Sequence, residues 1–191
     1  MDKKELKKLF ELMHPDLFGR PYIRELPDDE VFDEMILPLG EFDEHSYEKE
    51  LGSDIAFGFY TGDTNVLKKA IAKVDEGWTA FFTDIGRTYC GYIGGKIASF
   101  CVIEDMGEYD INGRIIKVGG PGCVGTLPEY RGRGIALTMV KQATQILKDE
   151  GFDISWIHYT GVAPWYEKLG YRVVLRWNRN GIIRRGDASG E

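Results

Sequence analysis

The chain has 191 residues, a net charge of −7 at pH 7 and a pI near 5.1. Hydrophobic residues make up 43% and charged residues 29%, as in an average soluble globular domain, and the length predicts one domain with or without an appendage. The mean hydropathy is −0.28, and no apolar run approaches the roughly 20 residues that a membrane helix needs. The acidic pI argues against nucleic-acid binding, and the densely charged first residues lack an export signal, so we expect a cytoplasmic protein with no membrane contact.

The negative charge is concentrated between residues 25 and 50. This section holds eleven acids and a single base, Lys49. Solvated helix faces explain such a pattern, and an acidic wall near a site that receives a positively charged amine explains it too.

The first part of the chain is predicted to be rich in helices. Leu6, Leu9, Phe10 and Met13 fall on one face of a helix over residues 3–13. Similar apolar spacing predicts a second helix over 27–36 and a third over 63–77, the latter with Asp63 as its N-cap.

From residue 78 onward the sequence pattern predicts strands. Alternating and β-branched residues predict an antiparallel meander with turns at Gly94-Gly95 and Asn112-Gly113, and its strands cover residues 78–83, 88–93, 96–104 and 114–126. A long helix is predicted over 132–150. It is followed by a strand at 153–159, a short helix at 163–169, a strand at 171–177 that turns at Asn180-Gly181, and a loose tail over 184–191.

The most informative segment is the glycine-rich turn that links a strand to the long helix. Residues 119–136 read GGPGCVGTLPEYRGRGIA, with Arg131 and Arg133 beside Gly132 and Gly134. The first turn of a helix leaves backbone N–H groups unpaired and carries partial positive charge, so this turn is suited to an anion such as a diphosphate. It matches neither the Walker pattern nor the dinucleotide fingerprint.

Two motifs resemble the GCN5-related N-acetyltransferase (GNAT) family. Residues 131–136 (RGRGIA) are similar to the family's acetyl-CoA motif, and residues 166–171 (YEKLGY) are similar to its second signature. The resemblance implies an α+β fold, GNAT-like, with a mixed, mostly antiparallel central sheet flanked by helices. It also implies that the acetyltransferase domain covers 53–191, starting with a strand near Ile55, and that residues 1–52 form a helical, acidic N-terminal extension.

The resemblance also implies the sites. The pyrophosphate of acetyl-CoA, the acetyl donor, is expected on the turn, and the end of the preceding strand is expected to contact the pantetheine arm and the acetyl carbonyl. The expected cofactor-binding residues are Val124, Gly125, Thr126, Arg131, Gly132, Arg133, Gly134, Ile135 and Ala136. Tyr166 is expected to act as the general acid on the leaving thiolate, which suits a phenol because its ordinary pKa exceeds that of the thiol.

The general base departs from the family pattern. The two positions that usually hold it are Gly120 and Gly122, neither of which can accept a proton. Glu104, Asp105, His158 or a water chain are the alternatives, and Glu104 and His158 each have an ordinary structural explanation as well. Tyr159 replaces an asparagine that often precedes the second motif, which weakens the expectation of one cofactor contact.

We therefore expect an acetyl-CoA-dependent N-acetyltransferase that acts on a primary amine by direct attack. The acceptor is expected to be a cationic small-molecule or peptide amine, no metal site is expected, and a homodimer is left open. The rival hypotheses are a non-catalytic acyl-CoA-binding or sensor module and a partner-docking domain. Cys90, Cys101 and Cys123 fit neither a disulfide framework nor a metal-ligand pattern, and we expect structural thiols.

Overall fold

Eight strands and five α-helices follow one another along residues 1–183, the part of the chain that the computed structural model describes. The strands are β1 (Phe32–Pro38), β2 (Ile55–Phe59), β3 (Thr88–Ile93), β4 (Lys96–Ile111), β5 (Arg114–Thr126), β6 (Ile154–Thr160), β7 (Arg172–Asn178) and β8 (Gly181–Ile182). The helices are α1 (Lys3–Met13), α2 (Pro21–Arg24), α3 (Thr64–Ala72), α4 (Ile135–Asp149) and α5 (Ala163–Tyr166).

All eight strands belong to one sheet, in the order β2-β3-β4-β5-β6-β1-β7-β8. Every neighbouring pair is antiparallel except β5 and β6, which are parallel. The α+β fold predicted from the motifs is confirmed. None of the helices within residues 1–183 is long and apolar enough to cross a membrane.

Helices cover both faces of the sheet. α4 and α5 pack on one face through residues such as Val140 and Ala163, against Met35 and Ile103 of the sheet. α1 and α3 cover the other face, where Phe10 packs with Trp156 and Ile71 packs with Val102. Because side chains alternate along a strand, Glu104 of β4 and His158 of β6 fall on the face of α1 and α3.

Local sequence signals account for several element ends. Asp2 and Glu5 form a capping box that starts α1. The hairpin turns at Gly94-Gly95 and Asn112-Gly113 both have two consecutive residues with positive φ, as a type I′ turn requires.

The predicted helix over 27–36 is wrong, because Phe32–Pro38 forms strand β1. The strand lies between β6 and β7 in the middle of the sheet. Its central residues, Glu34 to Leu37, are buried in succession, as is typical of a strand covered on both faces. The segment 1–52 thus contributes a central strand as well as α1, while the proposed domain boundary itself stays a prediction.

The predicted strand over 78–83 is also wrong. Residues Glu76–Phe81 form a 3-10 turn, in which Asp75 accepts a hydrogen bond from the Gly77 N–H. The other predicted elements are confirmed with shifted ends, the largest shift being the extension of β4 to Ile111. The predicted loose tail, 184–191, lies outside the described residues.

The backbone pairing of the parallel strands β5 and β6 ends soon after it begins, and we call the stretch between the two strands beyond the last pair the opening. Within the described chain they pair only at Val118 with Ile154 and at Gly119 with Ser155. Further along, each strand contains a non-glycine residue with positive φ, Cys123 at 47° in β5 and Tyr159 at 59° in β6. Residues held in this region cost on the order of 1–3 kcal/mol each and cluster at functional sites.

Candidate active site

A cavity of about 630 Å³ lies at the N-terminus of α4. The expected cofactor-binding residues all line it: Val124, Gly125, Thr126, Arg131, Gly132, Arg133, Gly134, Ile135 and Ala136. Tyr166 lines the same cavity, although thirty positions separate it from Ala136 in sequence. The structure therefore brings the two motifs together around one space.

The backbone of the glycine-rich turn is shaped for close approach of a ligand. Gly132 and Gly134 have φ values of 77° and 82°, which side-chain-bearing residues rarely adopt. Gly134 is the N-cap of α4 and offers no side-chain cap, so the N–H groups of the first turn are available to an anion. Arg131 donates from Nε to the Thr126 carbonyl at 3.2 Å, which ties the turn to the end of β5.

Two of the cavity residues that no sequence motif indicated come from a distant part of the chain. Tyr47 and Lys49 come from the acidic section and lie over Gly134, where an added Cβ would collide with the Lys49 side chain and come within 3.0 Å of the Tyr47 hydroxyl. Lys141 of α4 holds this segment by donating from Nζ to the Tyr47 carbonyl at 2.9 Å. The only signal in the sequence was that Lys49 is the sole base among the acids, and no spacing rule connects it to Gly134.

Several acids of the section 25–50 are paired rather than free. Asp28, Asp33 and Glu41 lie 2.8, 2.7 and 3.3 Å from the guanidinium nitrogens of Arg179, Arg176 and Arg172, respectively. These pairs favour an ordinary charged surface over an open acidic wall. Glu34, by contrast, is fully buried.

Tyr166 has the surroundings of a phenol that stays protonated. It is 7% exposed and packs edge-on against the Trp165 and Tyr171 rings, with ring centroids 4.8 and 6.0 Å apart. Burial raises its pKa well above the usual value. Within residues 1–183 its hydroxyl forms no hydrogen bond, so it is available to a ligand in the cavity.

Side chains at the two usual positions of the base are excluded by different contacts. A Cβ on Gly120 would collide with the Trp156 carbonyl oxygen, so the close approach of β5 and β6 requires glycine there. A Cβ on Gly122 would collide with Oε1 of Glu104. The neighbouring strand β4 therefore places a carboxylate in the space that a side chain on Gly122 would occupy.

Glu104 places a partly buried carboxylate beside Gly122. Its carboxylate forms no hydrogen bond or ion pair with another of the described residues. Burial raises its pKa, and the nearby charge of His158 opposes that shift. Asp105, the adjacent candidate, instead accepts the Gly107 N–H at 2.9 Å within a bulge of β4.

His158 is three residues beyond the last β6 pair, as Gly122 is three residues beyond the last β5 pair, and its charge acts on the Glu104 carboxylate. Its Nδ1 lies 2.8 Å from Oε1 of the buried Glu34, and its ring stacks on that of His14 with centroids 3.9 Å apart. Tyr159, the residue in place of the family's asparagine, stacks on Trp177 and donates its backbone N–H to Glu34.

His14, Glu34 and His158 each bring a possible ligand atom within 4.8 Å of the others. Both Glu34 oxygens already accept hydrogen bonds, from two indole N–H groups, the His158 ring and the Tyr159 backbone. A metal ion would have to displace these donors from Glu34, so the geometry favours a hydrogen-bonded carboxylate over a metal ligand.

The three cysteines have the character of structural thiols. Cys90 and Cys101 are buried and Cys123 is half-buried. Burial raises the pKa of Cys90 and of Cys123 to about 12, which keeps both protonated at neutral pH.

Comparisons with known proteins identify the family and the fold of the chain. Residues 56–174 match the family model of the acetyltransferase (GNAT) domain, whereas no curated protein matches the chain. Among solved structures, a GCN5-related glucosamine N-acetyltransferase region of a fungal multi-domain GH3 β-N-acetylglucosaminidase aligns with a TM-score of 0.61 and 19% identity, over 79% of this chain and 20% of that one.

Two bacterial structures align over similar lengths. A GCN5-related N-acetyltransferase from Sphaerobacter thermophilus has a TM-score of 0.52 and 16% identity, over 78% of this chain and 50% of that one. One from Kribbella flavida has a TM-score of 0.53 and 14% identity, over 76% and 55%. At such low identities, the structural similarity shows a shared fold. The chain spans between a fifth and about half the length of these relatives.

Proposed function

This chain belongs to the GNAT acetyltransferase family, and we propose that it transfers the acetyl group of acetyl-CoA to a primary amine by direct attack. The single observation that carries the proposal is the cavity at the N-terminus of α4, where the glycine-rich turn, the end of β5 and Tyr166 meet.

The residues around the cavity fit acetyl-CoA. The free N–H groups of the first turn of α4 suit the pyrophosphate, and Arg133 and Lys49 add positive charge at the same place. The end of β5, at Val124 to Thr126, provides backbone groups for the extended pantetheine arm. When bound, acetyl-CoA supplies an activated acyl group as a thioester.

Tyr166 is the proposed general acid. Because burial keeps the phenol protonated, it can donate its proton to the sulfur that leaves as thiolate. Its place in the same cavity as Val124, at the end of β5, supports this role.

The amine is proposed to enter from the opposite face, where Glu104 and His158 flank the opening between β5 and β6. An uncompensated carboxylate at this opening favours a cationic acceptor, either a small molecule or a peptide. Amino sugars belong among the candidates, since the fungal structure of the same fold is described as acting on glucosamine.

The test is acetyl-CoA-dependent thiol release across a panel of primary amines, including glucosamine, polyamines and short peptides. We expect at least one amine to accelerate release by orders of magnitude over buffer. Tight acetyl-CoA binding without any accelerated release would favour the rival non-catalytic acyl-CoA-binding or sensor module. Absence of binding would refute both.

A further inference from the structure

Glu34 is a buried carboxylate with an unusually complete set of donors. Trp156 and Trp177 donate their indole N–H groups to it at 2.6 and 2.7 Å. The His158 ring and the Tyr159 backbone N–H supply two further contacts, at 2.8 and 3.3 Å. The side chain has no exposure to solvent.

This set of donors determines the proton positions. An indole N–H and a backbone N–H can only donate, so Glu34 must act as an acceptor at both oxygens, which an ionised carboxylate does. The Nδ1 atom of His158 then carries a proton toward Oε1 of Glu34. In the neutral ring, the lone pair is therefore on Nε2.

Packing holds the His158 ring in this orientation. The His14 ring, at the end of α1, stacks on it with an interplanar angle of 15°, and Phe10 lies 6.5 Å away, centroid to centroid. Burial and the charge of His158 lower the pKa of His14 to about 4, so His14 stays neutral and adds no competing positive charge near pH 7. The other charged groups that face the pair are Arg20, beside His14, and Glu104, beside His158.

The strand geometry brings this arrangement to the opening. Glu34 lies at a bulge where β1 faces both His158 and Tyr159, the residue with positive φ. The bulge occurs where β6 has left β5, so His158 borders the opening opposite the Glu104 carboxylate. Among the described residues, Nε2 of His158 forms no hydrogen bond.

We propose that His158 is the proton acceptor of the acetyl transfer, acting through Nε2, and that Glu34 is a positioning residue that fixes its tautomer. This rests on the proposed function. Glu104 then attracts the ammonium group and is not itself the base. A histidine suits the role because its ordinary pKa lies nearer to neutral pH than that of a carboxylic acid.

The proton balance is complete. Nε2 of His158 takes one proton from the ammonium group and later passes it to solvent. The freed nitrogen lone pair attacks the thioester carbonyl, so that the C–N bond forms and the C–S bond breaks. Tyr166 protonates the leaving sulfur and is reprotonated by the second proton that the nitrogen loses, so each turnover releases one proton.

The first test needs no turnover. The chain has three histidines, so ¹⁵N labelling of the imidazoles gives three resolvable ring systems, which the exposed His45 helps to assign through His45→Asn. We expect neutral His158 to carry its proton on Nδ1. A proton on Nε2 at neutral pH would overturn the role of Glu34.

The second test is kinetic. His158→Ala should lower kcat by about 10²- to 10⁴-fold with unchanged acetyl-CoA affinity, and added imidazole should restore part of the rate, whereas His45→Asn should match the wild type. Glu34→Gln, if folded, should lower kcat and move part of the proton of the neutral His158 ring from Nδ1 to Nε2 in the ¹⁵N spectra, because the carboxylate that accepts from Nδ1 is gone. A wild-type kcat in His158→Ala would refute only the role of His158 as the proton acceptor. A wild-type enzyme that acetylates no amine would refute the proposed function and this role with it.

Discussion

A carboxylate placed in the first turn of α4 should block acetyl-CoA without harming the fold. Ala136 lines the cavity at the second position of the helix. An acid there is favourable to the helix by about 0.3–1 kcal/mol, so Ala136→Glu should fold at least as stably as the wild type. Gly134 is a poorer place for the test, because its φ of 82° penalises any side chain and Lys49 lies against it.

The magnitude follows from Coulomb's law. At an effective dielectric constant of about 20 and a separation of about 6 Å, repulsion between the new carboxylate and one phosphate charge is roughly 3 kcal/mol. The Kd of acetyl-CoA should therefore rise by about 100-fold or more, measured by calorimetry. The effect should shrink with added salt, since the Debye length falls to about 3 Å at 1 M.

Ala136→Gln is the matched control, because it adds nearly the same volume without the charge. It should weaken binding far less, and without the salt dependence. Equal Kd values for the Glu and Gln variants would refute the claim that the turn and the helix N-terminus hold the pyrophosphate.

Three further predictions concern catalysis and stability. Tyr166→Phe should lower kcat by about 10²- to 10⁴-fold with unchanged acetyl-CoA affinity, and an unchanged kcat at saturation would leave Tyr166 a packing residue. Glu104→Gln should raise the amine KM more than it lowers kcat, with a loss of kcat/KM that is largest near neutral pH and low salt; a salt-independent KM in the wild type would count against attraction by Glu104. The pKa of His14 falls from 6.5 to about 4 on folding, so the unfolded state binds the proton first as the pH drops through that range. The free energy of unfolding should therefore decrease between these pH values, by up to about 3 kcal/mol. Denaturation of His14→Phe at pH 7 and pH 4.5 tests this, and a drop as large as that of the wild type would contradict it.

The part of the site that could be predicted from sequence is the part made by adjacent residues. Residues 124–136 contain the end of a strand, the glycine-rich turn and the start of a helix in succession, and the local sequence specifies each of them. The hairpin at Asn112-Gly113 was predictable for the same reason, since two positive φ values are needed in succession.

The parts that could not be predicted depend on contacts between distant residues. The apolar residues from Val31 to Ile36 satisfy a helical face, and only the space between β6 and β7 makes a strand the better solution. The indole N–H groups that bind Glu34 belong to Trp156 and Trp177, which lie more than a hundred positions away in sequence. No local pattern at residue 34 distinguishes a buried carboxylate from a solvated acid.

The base is an intermediate case. Gly120 and Gly122 carry no group that accepts a proton, and the sequence offers Glu104, Asp105, His158 or a water chain as substitutes. Which face and which side of the opening they occupy depends on the register of β4 with β5 and on the separation of β6. The role of Glu34 behind His158 required the three-dimensional arrangement.

If this chain joins an acetyl group to an amine, the two products must form in a fixed ratio. An amine that accelerates thiol release should be incubated with enzyme and acetyl-CoA, and both products should be quantified by mass spectrometry. We expect acetylated amine and free CoA in equal amounts, with both suppressed in Ala136→Glu. Free CoA accompanied by acetate, with no acetylated amine, would contradict it.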